Sequence, residues 1–285
     1  MRTILNKKEL LLAERILRLG HWGEARKMLG YIVPHPDVAI ACGDKNMQES
    51  SWEIALPAYL CAASQLKDNP ALQRKLVELG DIFCANNVLD SAFKAYVTAN
   101  ACSHLGHLGI LCVKHKQYSL AHDCFRRIGS LKELKELGQL VLRQKTVLHS
   151  HLQIALNCFT ASDAKTDLID VGERYLKEFY KLAPNQRTTN DIGDAKKAFR
   201  AAGERKRLVD CGRAYLALAE NQCRSDGIES AIEVYQEAGE PIPLEDIIRL
   251  LDLYLLKGWV NDQKAACHYL LEAGIEPLTT IPDEE

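Results

Sequence analysis

Residues 76–99, LVELGDIFCANNVLDSAFKAYVTA, decide the fold class of this chain, because residues 105–128, LGHLGILCVKHKQYSLAHDCFRRI, repeat their pattern at the same spacing. The shared positions are a glycine, an apolar residue three positions later, and a triad with a small first and a large second member: Gly80, Phe83, Ala92, Tyr96 and Ala99, then Gly109, Cys112, Ala121, Phe125 and Ile128. A glycine inside a helix costs about 1 kcal/mol relative to alanine, so its return at a fixed place indicates that two helices approach closely there. Each stretch is therefore predicted to be a pair of packed helices.

The same pattern extends along the rest of the chain. Further second-helix triads stand at Ala25/Leu29/Ile32, Ala55/Tyr59/Ala62, Ala155/Phe159/Ser162, Ala195/Phe199/Ala202, Ala231/Tyr235/Ala238 and Ala266/Leu270/Ala273. First helices place Gly80, Gly109, Gly138, Gly172 and Gly212 at the close-contact position, which Ala13, Gly43 and Leu251 fill less regularly. Residues that tolerate the left-handed conformation at a helix end follow the triads directly at Asn100, Gly129, Gly203, Gly239 and Gly274. Two independent signals thus predict the same helix boundaries.

These residues resemble the tetratricopeptide (TPR) repeat, in which Leu-Gly and a following aromatic residue mark one helix and a small–aromatic–small triad marks the next. The resemblance implies an all-α fold, an α-solenoid with a right-handed superhelix of about eight antiparallel helix pairs. The predicted domain covers residues 1–275, with pairs at approximately 4–33, 36–66, 70–101, 103–129, 131–162, 165–203, 205–239 and 243–274, and residues 276–285 are predicted to be an acidic C-terminal tail.

The spacing within the pairs departs from the regular repeat. The distance between the small residues of the two helices is 12 in pairs one to four but 17, 23, 19 and 15 in the last four. Such uneven pairs are similar to those of the α-solenoids of vesicle coats and intraflagellar transport subunits, where pairs often end in Ala-Gly, as here at 202–203, 238–239 and 273–274. A non-repeating helical bundle is the alternative, because alanine and tyrosine at helical spacing occur in any bundle.

Composition and charge favour a cytoplasmic protein. The 285 residues include 36 lysines and arginines and 38 aspartates and glutamates, so the formal net charge of -2 gives no global attraction to nucleic acid or membrane. The ten cysteines are scattered without a CxxC pair, which is typical of reduced thiols. No stretch reaches the roughly 20 apolar residues that a membrane-spanning helix needs, so membrane insertion is not expected.

The first helices of the C-terminal pairs carry a candidate peptide-binding groove. The resemblance places the concave wall on first helices, and the inward positions counted from each glycine are Lys132, Lys135, Gln139 and Arg143 in pair five, Glu173 and Lys177 in pair six, and Lys206 and Arg213 in pair seven. This predominantly basic set suits an acidic or C-terminal carboxylate peptide. The alternative is an ordinary solvated helix face. The lysine–asparagine clamp of chaperone-binding relatives is not present, with Lys135/Gln139 the nearest match.

Catalytic and metal-binding motifs are weak. Seven possible zinc ligands lie close together in the sequence: Cys102, His104, His107, Cys112, His115, His122 and Cys124. A zinc site is one interpretation of this cluster. The favoured interpretation is that they are structural residues, either packed or exposed. His149-Ser150-His151 is interpreted as a helix start capped by the serine rather than as acid–base chemistry. No phosphate loop, nucleophile elbow or HExxH occurs. The sequence therefore predicts no enzyme activity, no cofactor and no metal.

Three kinds of function remain open. The leading prediction is a protein–protein interaction scaffold that holds a peptide or partner helix in its groove. The second is a structural segment of a larger trafficking or transport assembly. The third is an RNA-binding helical repeat, for which Glu14, Asp81 and Glu173 interrupt the positive groove, so nucleic acid is the least favoured partner.

Overall fold

The computed structural model describes residues 36–66, 68–144, 148–222, 225–246 and 248, and within them it contains α-helices, one 3-10 helix and no β-strand. The chain divides into two compact units, the first ending at Leu131 and the second beginning at Lys132. The first unit contains α1 Pro36–Gln48, α2 Trp52–Gln65, α3 Pro70–Ala85, α4 Leu89–Thr98, α5 Cys102–Lys114 and α6 Tyr118–Ile128. From Lys132 onward the second contains α7 Leu131–Leu142, α8 His149–Ala161, α9 Lys165–Lys181, the 3-10 helix Pro184–Gln186, α10 Thr189–Ala202, α11 Arg205–Gln222 and α12 Ser225–Ala238.

Consecutive helices pack as pairs, and one contact builds every described pair. The glycine of the first helix lies directly against the aromatic ring of the second, so close that a Cβ atom would overlap the ring: Gly43 on Tyr59, Gly80 on Tyr96, Gly109 on Phe125, Gly138 on Phe159, Gly172 on Phe199 and Gly212 on Tyr235. Gly43, which the sequence marks less regularly, takes the same position as the other five. The predicted all-α, solenoid-type succession of helix pairs is confirmed.

The helix ends use the same aromatic residue a second time. Asn100, Gly129, Gly203 and Gly239 have positive φ angles of 52°, 70°, 78° and 76°, as expected for left-handed helix ends. One residue further on, the backbone N–H donates to the aromatic residue's carbonyl, as from Ser130 to Phe125 at 3.0 Å. This Schellman bond fixes each left-handed residue four positions along the chain from the aromatic residue whose ring packs on the glycine.

The aromatic residues and alanines of the triads form the cores of the units. In the second unit a continuous buried cluster runs from Leu142 to Ile242, and Phe159, Tyr175, Phe179 and Phe199 at its centre are fully buried. In the described part of the chain, no helix combines the length and the apolar character needed to cross a membrane.

Some predictions fall outside the described residues. Predicted pair one, most of pair eight and the tail at 276–285 lie there. The extent of a single domain over 1–275 stays a prediction, and each of the two units is described by itself.

Candidate interaction surface

The predicted groove residues lie on or directly after α7, α9 and α11 of the second unit. Gln139 is half-buried, and the other seven are exposed: Lys132, Lys135, Arg143, Glu173, Lys177, Lys206 and Arg213. Their spacing from the helix glycines repeats, because Gln139, Glu173 and Arg213 stand one position after a glycine, and Arg143 and Lys177 stand five after one. Positions one turn apart share a helix face. We call these eight residues the first-helix surface.

A fixed register of polar contacts joins neighbouring first helices. The residue one position after a glycine contacts the residue five positions before the next glycine. Gln139 Nε2 donates to Asp167 Oδ1 at 3.1 Å, and Glu173 Oε1 lies 2.9 Å from Nη2 of Arg207. The first-helix surface is therefore continuous from α7 to α11 within the second unit.

The same register joins the first two described pairs of the first unit. Asp44, one position after Gly43, forms an ion pair with Lys75, five positions before Gly80. Tyr59 Oη donates to the same carboxylate at 2.7 Å. Burial, followed by this hydrogen bond and the charge of Asp44, raises the pKa of Tyr59 well above its ordinary value. Asp44 thus links the glycine–aromatic contact of one pair to the first helix of the next.

Carboxylates that sequence reasoning missed neutralise part of the first-helix surface. Lys135 Nζ lies 3.5 Å from Asp167 Oδ2, and Arg213 Nη1 lies 3.4 Å from Asp210 Oδ1. Asp210 also faces Arg207 at 3.7 Å. The glycine positions in the sequence, combined with this contact register, are the signal that could have identified Asp167 and Arg207 as contact residues.

Three cations on the first-helix surface remain available. Within the described residues, Arg143, Lys177 and Lys206 are exposed and form no salt bridge. Arg143 and Lys177 occupy equivalent positions on consecutive first helices, five residues after Gly138 and Gly172. The surface therefore combines paired charges with unpaired positive ones.

The long connection of pair six is held in a defined conformation beside this surface. The Arg187 guanidinium carbon lies 5.3 Å from the ring centre of Phe179 and 5.7 Å from that of Tyr180. Its Nε donates to the Leu182 carbonyl at 3.2 Å and its Nη2 to the Tyr180 carbonyl at 3.3 Å. The 3-10 helix Pro184–Gln186 packs against α11. This connection is therefore an ordered part of the second unit.

Tyr180 lies where this connection meets the first-helix surface. It stands seven positions after Glu173 and three after Lys177, on the same side of α9, and its side chain is 46% exposed. Burial raises the pKa of Tyr180, Arg187 and Arg213 act in the opposite direction, and Asp210 adds to the increase. The phenol is thus within electrostatic reach of both arginines.

His149 links α8 to α10. Its Nδ1 lies 3.2 Å from Asp191 Oδ1 and its Nε2 3.8 Å from Asp194 Oδ2, so both ring nitrogens face carboxylates of α10. The expectation that Ser150 caps the helix is wrong. Helix α8 begins at His149 after Leu148, and the Leu148 N–H donates to Nδ1 of His151 at 3.2 Å, so Ser150 lies inside the first turn.

The cysteine and histidine cluster is dispersed between core and surface. Cys112 and Cys124 are fully buried, and interaction with the Cys112 thiol, followed by burial, raises the pKa of Cys124. His104 packs against the Tyr96 ring with 5.2 Å between ring centres, and Cys102 is exposed. No group of three or more His, Cys, Asp or Glu side chains suited to a metal ion occurs in the described part of the chain.

Comparisons with known proteins give only a remote similarity. No protein-family model matches the chain, and no curated protein matches it. Among solved structures it is similar to a chain described as a circular tandem repeat protein with novel repeat topology and enhanced subunit contact surfaces, at 11% sequence identity and a TM-score of 0.16. That alignment covers 94% of this chain, which spans 59% of the other.

Proposed function

We propose that this chain is a non-catalytic protein–protein interaction scaffold that binds an acidic peptide or partner helix on the first-helix surface. The observation that carries the proposal is the contact register of Gln139 with Asp167 and of Glu173 with Arg207, which makes one surface of three first helices. Helical repeats commonly use such extended surfaces for protein binding. Arg143 and Lys177 supply unpaired cations for carboxylates of the partner.

A direct binding experiment tests the proposal. Fluorescence anisotropy at low salt would compare three fluorescein-labelled peptides with four Glu-Glu-Leu, Lys-Lys-Leu or Ser-Ser-Leu repeats. We expect the acidic peptide to bind best and its affinity to fall with salt, because exposed charge pairs are screened. The triple variant Arg143→Glu, Lys177→Glu and Arg213→Glu should lower that affinity at least tenfold.

A matched variant controls for overall charge. Lys94→Glu, Arg126→Glu and Arg127→Glu make the same change at exposed positions of α4 and α6 in the first unit. This variant should retain most of the binding. Equal binding of the three peptides, or equal losses in both triple variants, would count against the proposed surface.

A structural role in a larger trafficking or transport assembly is the second candidate. It is favoured by the uneven pairs, whose glycine and aromatic residue are 16 apart in the described pairs of the first unit but 21, 27 and 23 apart in the second. Free thiols at the described cysteines support a cytoplasmic location for either role. Sedimentation velocity over a hundredfold concentration range would favour this candidate if the chain self-associates.

RNA binding is the least supported role, because the first-helix surface includes Glu173 and contacts Asp167 and Asp210. A labelled polyuridine RNA in the same anisotropy assay tests it. We expect no salt-sensitive binding to that RNA.

A further inference from the structure

We infer that Tyr180 and Arg187, with Lys177 and Arg213 beside them, form the anchoring site of the first-helix surface for an acidic segment that carries an apolar side chain. The inference rests on the proposed function and deepens it, because it locates the strongest contact and states the chemistry of the partner. We call these four residues the tyrosine–arginine site.

The first step is the exposure and rigidity of the aromatic ring. Tyr180 is 46% exposed, and Phe179 packs edge-on against it with 5.1 Å between ring centres. Arg187 lies against the same ring and is bound to two backbone carbonyls. A tyrosine held in this way loses little conformational freedom on binding, so its exposed surface can cover an apolar side chain at low entropic cost.

The second step is the charge around the ring. Arg187, Arg213 and Asp210 act electrostatically on the Tyr180 phenol, and Lys177 and Glu173 lie on the same side of α9, three and seven positions before it. Arg207 faces both of these carboxylates, at 3.7 Å and 2.9 Å, in addition to the contact between Arg213 and Asp210. Lys177 is exposed and forms no salt bridge within the described residues, so this cation beside the ring complements a partner carboxylate.

The third step is that the site depends on a departure from the regular repeat. A short connection between α9 and α10 would be too short to return a side chain to the Tyr180 ring. Here the connection from Leu182 to Thr188 brings Arg187 back onto Phe179 and Tyr180. Tyrosine and arginine together are the residue types that most often dominate binding energy at protein interfaces. The stretched connection thus supplies the side chain that completes the site.

The test uses two peptides of equal charge in the intact chain. One fluorescein-labelled peptide has four Glu-Glu-Leu repeats and the other four Glu-Glu-Ala repeats. We expect the leucine peptide to bind the unmodified chain about tenfold more tightly, which corresponds to about 1.4 kcal/mol. Tyr180→Ala should remove this difference, and Tyr180→Phe should retain it because the ring remains.

Controls distinguish the anchor from the wider surface. Ile110→Ala removes an equally exposed apolar side chain from the first unit and should leave both affinities unchanged. Circular dichroism during thermal unfolding would verify that the Tyr180 variants fold. Tyr180→Ala could keep the preference for the leucine peptide while the triple charge reversal abolishes peptide binding. In that case the inference about the tyrosine–arginine site is wrong and the proposed function stands. If neither peptide binds the unmodified chain, or if polyuridine RNA displaces the leucine peptide, both are wrong.

Discussion

Phe199 lies against Gly172 so closely that a Cβ atom on the glycine would be 2.6 Å from Cε1 of the ring. The two residues are 27 positions apart, whereas Gly80 and Tyr96 make the same contact across 16. The contact is therefore kept although the connection between the helices varies in length. This constancy explains why glycine occurs inside these helices despite its low helix propensity.

We predict that Gly172→Ala destabilises the protein. Overpacking of a core costs about 1–3 kcal/mol, and the better helix propensity of alanine offsets about 1 kcal/mol of this, so we expect a net loss of up to about 2 kcal/mol in the free energy of unfolding. Urea unfolding measures the change. The matched control is Gly193→Ala in α10 of the same pair, where an added Cβ meets nothing within 4 Å. The free energy of unfolding of that variant should rise by about 0.5–1 kcal/mol. A decrease in both variants would contradict the proposed role of the ring contact at Gly172.

The second prediction concerns the helix end at Gly203, where φ is +78°. Gly203→Ala should lower the free energy of unfolding by about 1–2 kcal/mol, because alanine is strained in the left-handed conformation. Gly203→Asn should lose less, since asparagine adopts this conformation and Asn100 already does so at φ +52°. The alanine variant should therefore unfold at a lower temperature than the asparagine variant. The reverse order would contradict a left-handed helix end at Gly203.

Two buried tyrosines should respond in opposite ways to loss of the hydroxyl. Tyr96 Oη donates to Asp81 at 2.7 Å, so Tyr96→Phe should cost about 1–2 kcal/mol in urea unfolding. Tyr175 Oη is buried with no hydrogen-bond partner among the described residues. Tyr175→Phe should therefore be neutral or stabilising, because it removes a buried polar group that gains no bond. A large loss at Tyr175 would reveal a partner for its hydroxyl.

The last prediction is a pH-dependent contribution from Glu237 on α12. A two-pronged contact with Arg200 of α10, at 2.6 Å for Nε to Oε1, lowers the pKa of Glu237. The folded pKa lies below the unfolded value of about 4.3, so the stabilisation is complete above that value and is lost as pH falls through the folded pKa. Because both side chains are partly exposed, at 42% and 32%, we expect at most about 1 kcal/mol.

Paired unfolding curves measure this contribution. Glu237→Gln should be less stable than the unmodified chain at pH 7, and the difference should vanish at strongly acidic pH. The control is Glu240→Gln, an exposed carboxylate in none of the described salt bridges. A difference for Glu237→Gln that is independent of pH would show that the ion pair is not its cause.

Short-range pattern was enough to predict the helix pairs of this chain. The glycine position, the aromatic residue that follows it in the second helix and the left-handed helix ends can each be read within one pair. Gly43 was the least regular of the described glycines in sequence, because the polar Asn46 stands three positions after it, where the other pairs have an apolar or aromatic residue or a cysteine. Its contact with Tyr59 places it in the same register. Side-chain size and backbone conformation are local properties, so they leave a clear signal in the sequence.

The tertiary structure decided which exposed charges are paired. Gln139 meets Asp167 across 28 residues and Asp44 meets Lys75 across 31, so the contact keeps its register relative to the glycines while the separation along the chain varies. Arg187 lies in the connection between α9 and α10, and only the fold places it on Phe179 and Tyr180. The sequence by itself determined which residues pack within a helix pair, because the repeat fixes them. Only the stacking of one pair on the next determined which charges are neutralised and which remain available to a partner.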